Sequence, residues 1–315
     1  MPAAEPSLPS PIRLVGARVQ GPAPSERAAL RRAEAHPTAL KVILGGRLRR
    51  LREAAGLEES DLTKQLGFKP SKISRIEKGR QGCSELDARA MLGLYGVSDV
   101  EEVEEFVRLV DLSHQPDWWK SWRDVVSKFF SPLLSLEGAA ELIRIYEPVY
   151  VPGQLQTAEY ARAVIRAEWP TRSAHEIDRM VALRQARQHQ LEQPGAPVLW
   201  AVIKMDALLW SVSDPDILAA QIRHLIGWAQ RPNVKIQVAP VDVFRTVPAS
   251  TNMTHLSFAV PDLDNAVYSE HLVGSMFTQD PREVEHYLTL LDSLAAQVMT
   301  CDASLAYLQN LAAGG

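Results

Sequence analysis

Residues 57–80 read LEESDLTKQLGFKPSKISRIEKGR, and this stretch decides the fold of the N-terminal part of the chain. Leu57, Leu62 and Leu66 fall at helical spacing and form one apolar face. Gly67 permits the tight turn that a side chain would obstruct. Pro70 suits the first position of a second short helix, with Ile73 and Ile76 as its buried back. Ser71, Lys72, Ser74 and Arg75 flank those isoleucines and point outward, and Gly79 suits the left-handed conformation that ends a helix. A short helix with an apolar back and a hydroxyl-plus-cation front fits the major groove. Arg75 is the expected base reader, because its fork can bond guanine twice. Lys72, Lys78 and Arg80 are expected on phosphates, which position without specifying, and Ser71 and Ser74 suit either role. The competing reading is a polar helix face in a protein–protein module.

The flanks complete a small bundle. Upstream, LGGRLRRLREAAG (44–56) places Leu44, Leu48 and Leu51 on one face among four arginines. Downstream, SELDARAMLGLYG (84–96) is a further amphipathic helix, and EEVEEFVRLVDL (101–112) a linking one. The expected organisation is a disordered, proline-rich leader over 1–37 with a short helix near 25–36, a helix-turn-helix domain over 38–112, and a second domain over 113–315. The net charge of the chain is −4, but residues 38–82 carry 11 Lys or Arg against 5 Asp or Glu. A basic module on an acidic body directs phosphate attraction to one face. Cys83 and Cys301 have no zinc-like spacing, and the eight histidines form no metal pattern. No metal or cofactor is expected. No apolar run reaches membrane-spanning length, so a cytoplasmic protein with reduced thiols is expected.

After residue 112 the pattern first stays helical. WWKSWRDVVSKFF (118–130) and LEGAAELIRIYEP (136–148) read as helices, followed by a turn at VPG and a helix that Thr157 caps. EIDRMVALRQARQHQLEQPG (176–195) reads as a long helix. The period then changes: PVLWAVIKM, VKIQV, THLSFAV, NAVYSE and a run near Ser275–Thr278 read as strands. Asp214-Pro215 and Asp280-Pro281 open two helices, the second taken as the last. The expected class is α+β and mainly helical, with an all-α bundle preceding a domain that holds a small, mostly antiparallel sheet.

The run LRRLREAAGL…LTKQLGF…SKISRIEKGR resembles the Xre-type helix-turn-helix family. It departs from that family at Lys69, where a hydroxyl cap is usual, and a missing cap costs on the order of 1 kcal/mol; a lysine there is placed to reach a phosphate instead. It departs again at Glu58 and Glu59, where acids would repel phosphate yet suit the positive end of a helix. The second half, from RIYEPVYVPGQLQTAEYARAVI (144–165) to VYSEHLVGSMFTQDPREVEHY (267–287), resembles the C-terminal domain of WhiJ-like regulators. That resemblance implies a transcriptional regulator of development or secondary metabolism, working with a small protein encoded beside it.

Chemistry in the second domain is sparsely marked. No phosphate loop, nucleophile elbow or metal-binding motif is present, so an enzyme is not expected. Tyr146, Gln156, Thr157, Tyr160, Arg162 and Arg184 are polar groups that can converge beside the VPG turn, lining a pocket or docking a partner peptide. The alternative is that Pro152 and Gly153 merely make a tight connection. The function expected is a DNA-binding regulator, a repressor acting as a homodimer on a double-stranded operator. An antitoxin that regulates its own operon is one rival, and an enzyme carrying a DNA-targeting module the other.

Overall fold

The computed structural model describes residues 24–209, 214–241, 251–271 and 274–314. The N-terminal bundle is built on α2 (Pro37–Ala54), which starts on a first-turn proline and buries Leu40, Ile43, Leu44, Leu48 and Leu51. Helices α3 (Glu59–Leu66) and α4 (Pro70–Glu77) make the helix-turn-helix, joined through Gly67 at φ +69°. Two further glycines let this pair lie flat on α2. A Cβ on Gly45 would stand 2.2 Å from the Ile76 carbonyl oxygen, and one on Gly79, at φ +63°, would stand 2.5 Å from the Cα of Val42. Helices α5 (Glu85–Leu94) and α6 (Val100–Ser113) close the bundle, each capped by a side chain: Ser84 accepts from the Asp87 amide and Asp99 from the Glu102 amide.

The expected disordered leader is corrected for its described part. Pro24–Ala33 is helix α1, and Ala29, Leu30 and Ala33 are buried in the main core. Residues 1–23 of that leader lie outside the described residues.

The second domain holds one six-stranded sheet in the order β3-β2-β1-β4-β5-β6. The strands are β1 (Leu142–Glu147), β2 (Val198–Lys204), β3 (Val234–Ala239), β4 (Met253–Ser257), β5 (Ala266–Glu270) and β6 (Ser275–Thr278). The sheet is mixed, with more antiparallel than parallel pairings: β1, β2 and β3 are mutually parallel, and β4, β5 and β6 add on antiparallel. The parallel half needs helical crossovers. These are α8 (Ala158–Glu168) and α9 (Ala174–Gln190) between β1 and β2, and α10 (Met205–Leu209) and α11 (Pro215–Ala229) between β2 and β3.

Strand β1 replaces the second half of the helix expected over 136–148. Its four central residues are all buried, so both faces are covered and the two-residue alternation that marks a half-exposed strand is missing. The helix α7 (Ser131–Leu136) precedes it. The helix expected over 118–130 is a short 3-10 segment, Trp118–Trp122, followed by turns. Trp119 is nonetheless buried, with its Nε1 donating to Ser135 Oγ at 2.9 Å. Helix α12 (Pro281–Gln297) begins as the sequence indicates, with Asp280 accepting from the Arg282 and Glu283 amides. It is not the last helix: α13 (Cys301–Ala312) follows and fixes β3, with the Val238 amide donating to Ser304 Oγ at 2.9 Å.

One row of cross-strand partners runs Lys235, Trp200, Arg144, His255. Asp292 of α12 reaches Arg144 at 2.6 Å, and the Arg144 guanidinium lies 4.8 Å from the Trp200 ring centroid, so a buried arginine is satisfied within a sheet. The bundle and the second domain meet on α2. Thr38 Oγ1 donates to Asp117 at 2.7 Å, and Arg50 pairs with Asp262 at 2.8 Å, where Asp262 packs against Gly46.

Candidate nucleic-acid interface

Helix α4 is held from behind. Ile73 and Ile76 are fully buried, and Glu77, one turn beyond Ile73, turns inward to Arg52, one turn beyond Leu48 on α2. Arg52 Nε and Nη2 donate to the two Glu77 carboxylate oxygens at 2.7 and 3.0 Å, and Arg52 Nη1 donates to the Leu57 carbonyl at 2.8 Å. A bidentate pair with both partners buried fixes the roll of α4 about its axis. Sequence reasoning missed this pair. Its only local signal is that each residue extends an apolar face by one turn.

With the back fixed, the outward stripe is Ser71, Arg75 and Lys78, all exposed, with Ser74 half-buried beside them. Arg80 and Lys69 are exposed at the two ends, and Lys69 is the residue before α4 with no side-chain cap bond, as the sequence implied. Arg75 Nε donates to Gln81 Oε1 at 3.1 Å, which tethers the guanidinium while leaving both terminal nitrogens for an acceptor. Lys72 does not share this stripe. Its ammonium sits 2.8 Å from the Asp87 carboxylate on α5 and 4.1 Å from the Phe68 ring centroid. The first turn of α3 carries Glu59 and Asp61, and the Asp61 carboxylate accepts from the Glu58 amide at 2.9 Å, so the acids there support the helix start.

The six polar residues expected near the VPG turn divide into three groups. Gln156, Thr157, Tyr160 and Arg184 meet there. Gln156, 2 % exposed, donates to the Val151 carbonyl at 2.7 Å and accepts from Arg184 Nη1 at 2.6 Å. Its own carbonyl accepts from Gln185 and Gln188, and the Tyr160 hydroxyl accepts from the Val151 amide at 3.1 Å. Thr157 caps α8, and its amide donates to Gln221 at 2.8 Å. These groups spend their hydrogen bonds on the turn itself and on α9 and α11. Tyr146 instead packs with Leu291 and Leu294 of α12, and Arg162 pairs with Asp178 on the surface. The turn is thus cross-braced, with Tyr146 packed towards α12 and Arg162 paired on the surface of α8 and α9.

A different group lies at the carboxyl end of β1. Burial pushes the Glu147 carboxyl up to about 8, and nearby Glu270 adds to the effect while Arg184 opposes it. Burial also raises Glu168, and it lowers Arg184. The neighbouring Arg187–Glu137 pair is buried and bidentate, with Gln154 donating to the same carboxylate. Among the described residues no cluster of His, Cys, Asp and Glu is arranged to hold a metal ion. Burial pushes the Cys83 thiol up to about 12, and its side chain is free of any disulfide, so it is unreactive packing. No described helix is long and apolar enough to cross a membrane.

The geometry agrees with what the chain is similar to. Residues 43–106 match the model of a helix-turn-helix domain, the module of DNA-binding regulators, and the match contains α3, α4 and α5 whole. No curated protein and no solved structure matches the chain. Residues 130–310 match a second model, described as a domain of unknown function (DUF5753), which takes in the whole sheet and α12. That match covers more than half of the chain, which therefore belongs to the DUF5753 family, with a helix-turn-helix domain in front of it.

Proposed function

We propose that the protein is a sequence-specific transcriptional regulator, a repressor of the Xre type, that binds double-stranded DNA through the exposed face of α4. The observation that carries this reading is the Ser71–Arg75–Lys78 stripe on a helix whose roll is locked by the Arg52–Glu77 pair. A fixed cationic fork flanked by a hydroxyl is what base-edge readout in the major groove requires. One such helix buries too little for operator affinity, so the working form is a homodimer on paired half-sites about one helical turn apart. The second domain is a regulatory body of the WhiJ-like kind that answers to a small protein partner. It is not an enzyme in this reading, since the polar groups at the VPG turn are committed to structure.

Selection of binding sites from a random duplex library by the full chain tests the proposal. An enriched inverted repeat is expected. Arg75→Ala should then weaken the selected site by about 1–3 kcal/mol and relax preference at one base pair. Absence of any enriched sequence, or an Arg75→Ala variant that binds as the parent does, would overturn it.

A further inference from the structure

We infer that Asp87 is a positioning residue that withholds Lys72 from the DNA backbone and so lowers affinity for DNA of any sequence; this rests on the reading of α4 as the DNA-binding helix. Lys72 is one of the two cations of α4, with Arg75, that the sequence places on the DNA side, yet its ammonium is 2.8 Å from the Asp87 carboxylate and stacked over Phe68. The pair is shielded: the Lys72 side chain is 30 % exposed and that of Asp87 16 %. Asp87 is itself fixed, because its amide donates to Ser84 Oγ at the start of α5. Aromatic face, carboxylate and helix start thus make a three-sided holder for one ammonium.

The consequence is a division of labour along the helix. A phosphate-seeking lysine at this position would add about 0.9 to the salt slope of binding to any duplex and would not discriminate between sequences. Held by Asp87, it adds nothing, while Arg75, Lys78 and Arg80 remain exposed. Affinity for operator and for random DNA is lowered alike, and the difference between them is left to the base-reading face. Asp87 also places a negative charge beside the interface, and the two effects are separable by experiment.

The test measures affinity and salt slope of the full chain for a random-sequence 30-base-pair duplex. Asp87→Asn should raise affinity roughly five- to tenfold at 0.1 M salt and steepen the slope by about 0.9. The same substitution made on Lys72→Ala should do neither. A second variant, Phe68→Leu, opens the holder without changing any charge and should shift the slope in the same direction. Melting curves establish that each variant is folded. If Asp87→Asn acts equally in both backgrounds, Asp87 works by its own charge and the inference is wrong; it is equally wrong if neither Asp87→Asn nor Phe68→Leu steepens the slope. Lys78→Ala with Arg80→Ala, on the same duplex, reports separately on the parent reading: binding undiminished there would show that α4 does not face DNA.

Discussion

Arg52 and Glu77 show how one buried pair can decide where the second helix of a helix-turn-helix points. Both side chains are over 90 % buried, and the pair closes a contact between helices 25 positions apart in sequence. Removing one partner leaves an uncompensated buried charge, so Glu77→Ala should cost about 3–5 kcal/mol, read in urea unfolding. The double change Arg52→Met with Glu77→Leu should recover most of that, since two apolar groups need no partners. It should still lose operator binding if the pair sets the roll of α4. His255 is the opposite case. It is 2 % exposed, and neither ring nitrogen has a hydrogen-bond partner among the described residues. Burial, helped by Arg144, lowers its pKa to about 4. A histidine depressed in the folded state binds fewer protons there than when unfolded. Stability should therefore fall as pH drops from about 6.5 towards 4. His255→Leu should raise stability at pH 7 by about 1–3 kcal/mol, the cost of leaving a polar group unmet, and flatten that acid limb. A parent and variant with equal melting temperatures across pH 4–7 would sink the idea.

At the scale of elements, the contact between α2 and α4 leaves no room for a side chain. Gly45→Ala would drive a methyl group into the Ile76 carbonyl, so α4 must shift away from α2. A loss of about 1–3 kcal/mol is expected, together with loss of DNA binding, because α4 cannot keep its position. The VPG turn tests differently. Gln156→Ala removes an acceptor for Arg184 and a donor to Val151, both buried or half-buried. It should cost about 1–3 kcal/mol per unmet group and leave DNA binding unchanged in the folded fraction. What was legible in the sequence at this scale is what is written locally. Thr157, Asp214 and Asp280 cap α8, α11 and α12 where a short polar residue precedes a helical period. The glycine turn and buried isoleucines of the helix-turn-helix are equally local. Strand β1 was hidden because its partners lie 56 residues ahead in β2 and about 110 in β4, and burial on both faces erased the alternation. The pairing of Lys72 was hidden for the same reason, since Asp87 lies 15 residues away in the next helix.

The whole molecule is joined more closely than a DNA-binding module on a separate body would be. A single apolar core runs from Ala29 and Leu30 of α1 through α2 and α6 to the sheet and Leu308 of α13. Around it, charge is arranged with opposing pH responses. Glu147, pushed up to about 8, holds a proton in the folded state that the unfolded chain releases near 4.5. Its contribution is therefore full below about pH 4.5 and is lost as pH rises through 8, the reverse of His255. Glu147→Gln should flatten the decline between pH 5 and 8, where each unit costs at most about 1.4 kcal/mol. A decline unchanged in that variant would assign it to another group. The continuity of the core makes a final prediction about α1. Its residues Ala29, Leu30 and Ala33 are buried, and Glu34 pairs with Arg108 of α6 at 2.8 Å. Deleting residues 1–36 should uncover one side of the bundle and lower the melting temperature by several degrees, since 1 kcal/mol shifts a unit of about 150–250 residues by about 2–4 °C and a larger one by less. Because the core is shared, the parent should unfold in one calorimetric transition, and the deletion should lower that transition as a unit. Two resolved transitions in the parent, with only the first moved by the deletion, would mean that the bundle and the second domain are energetically separate.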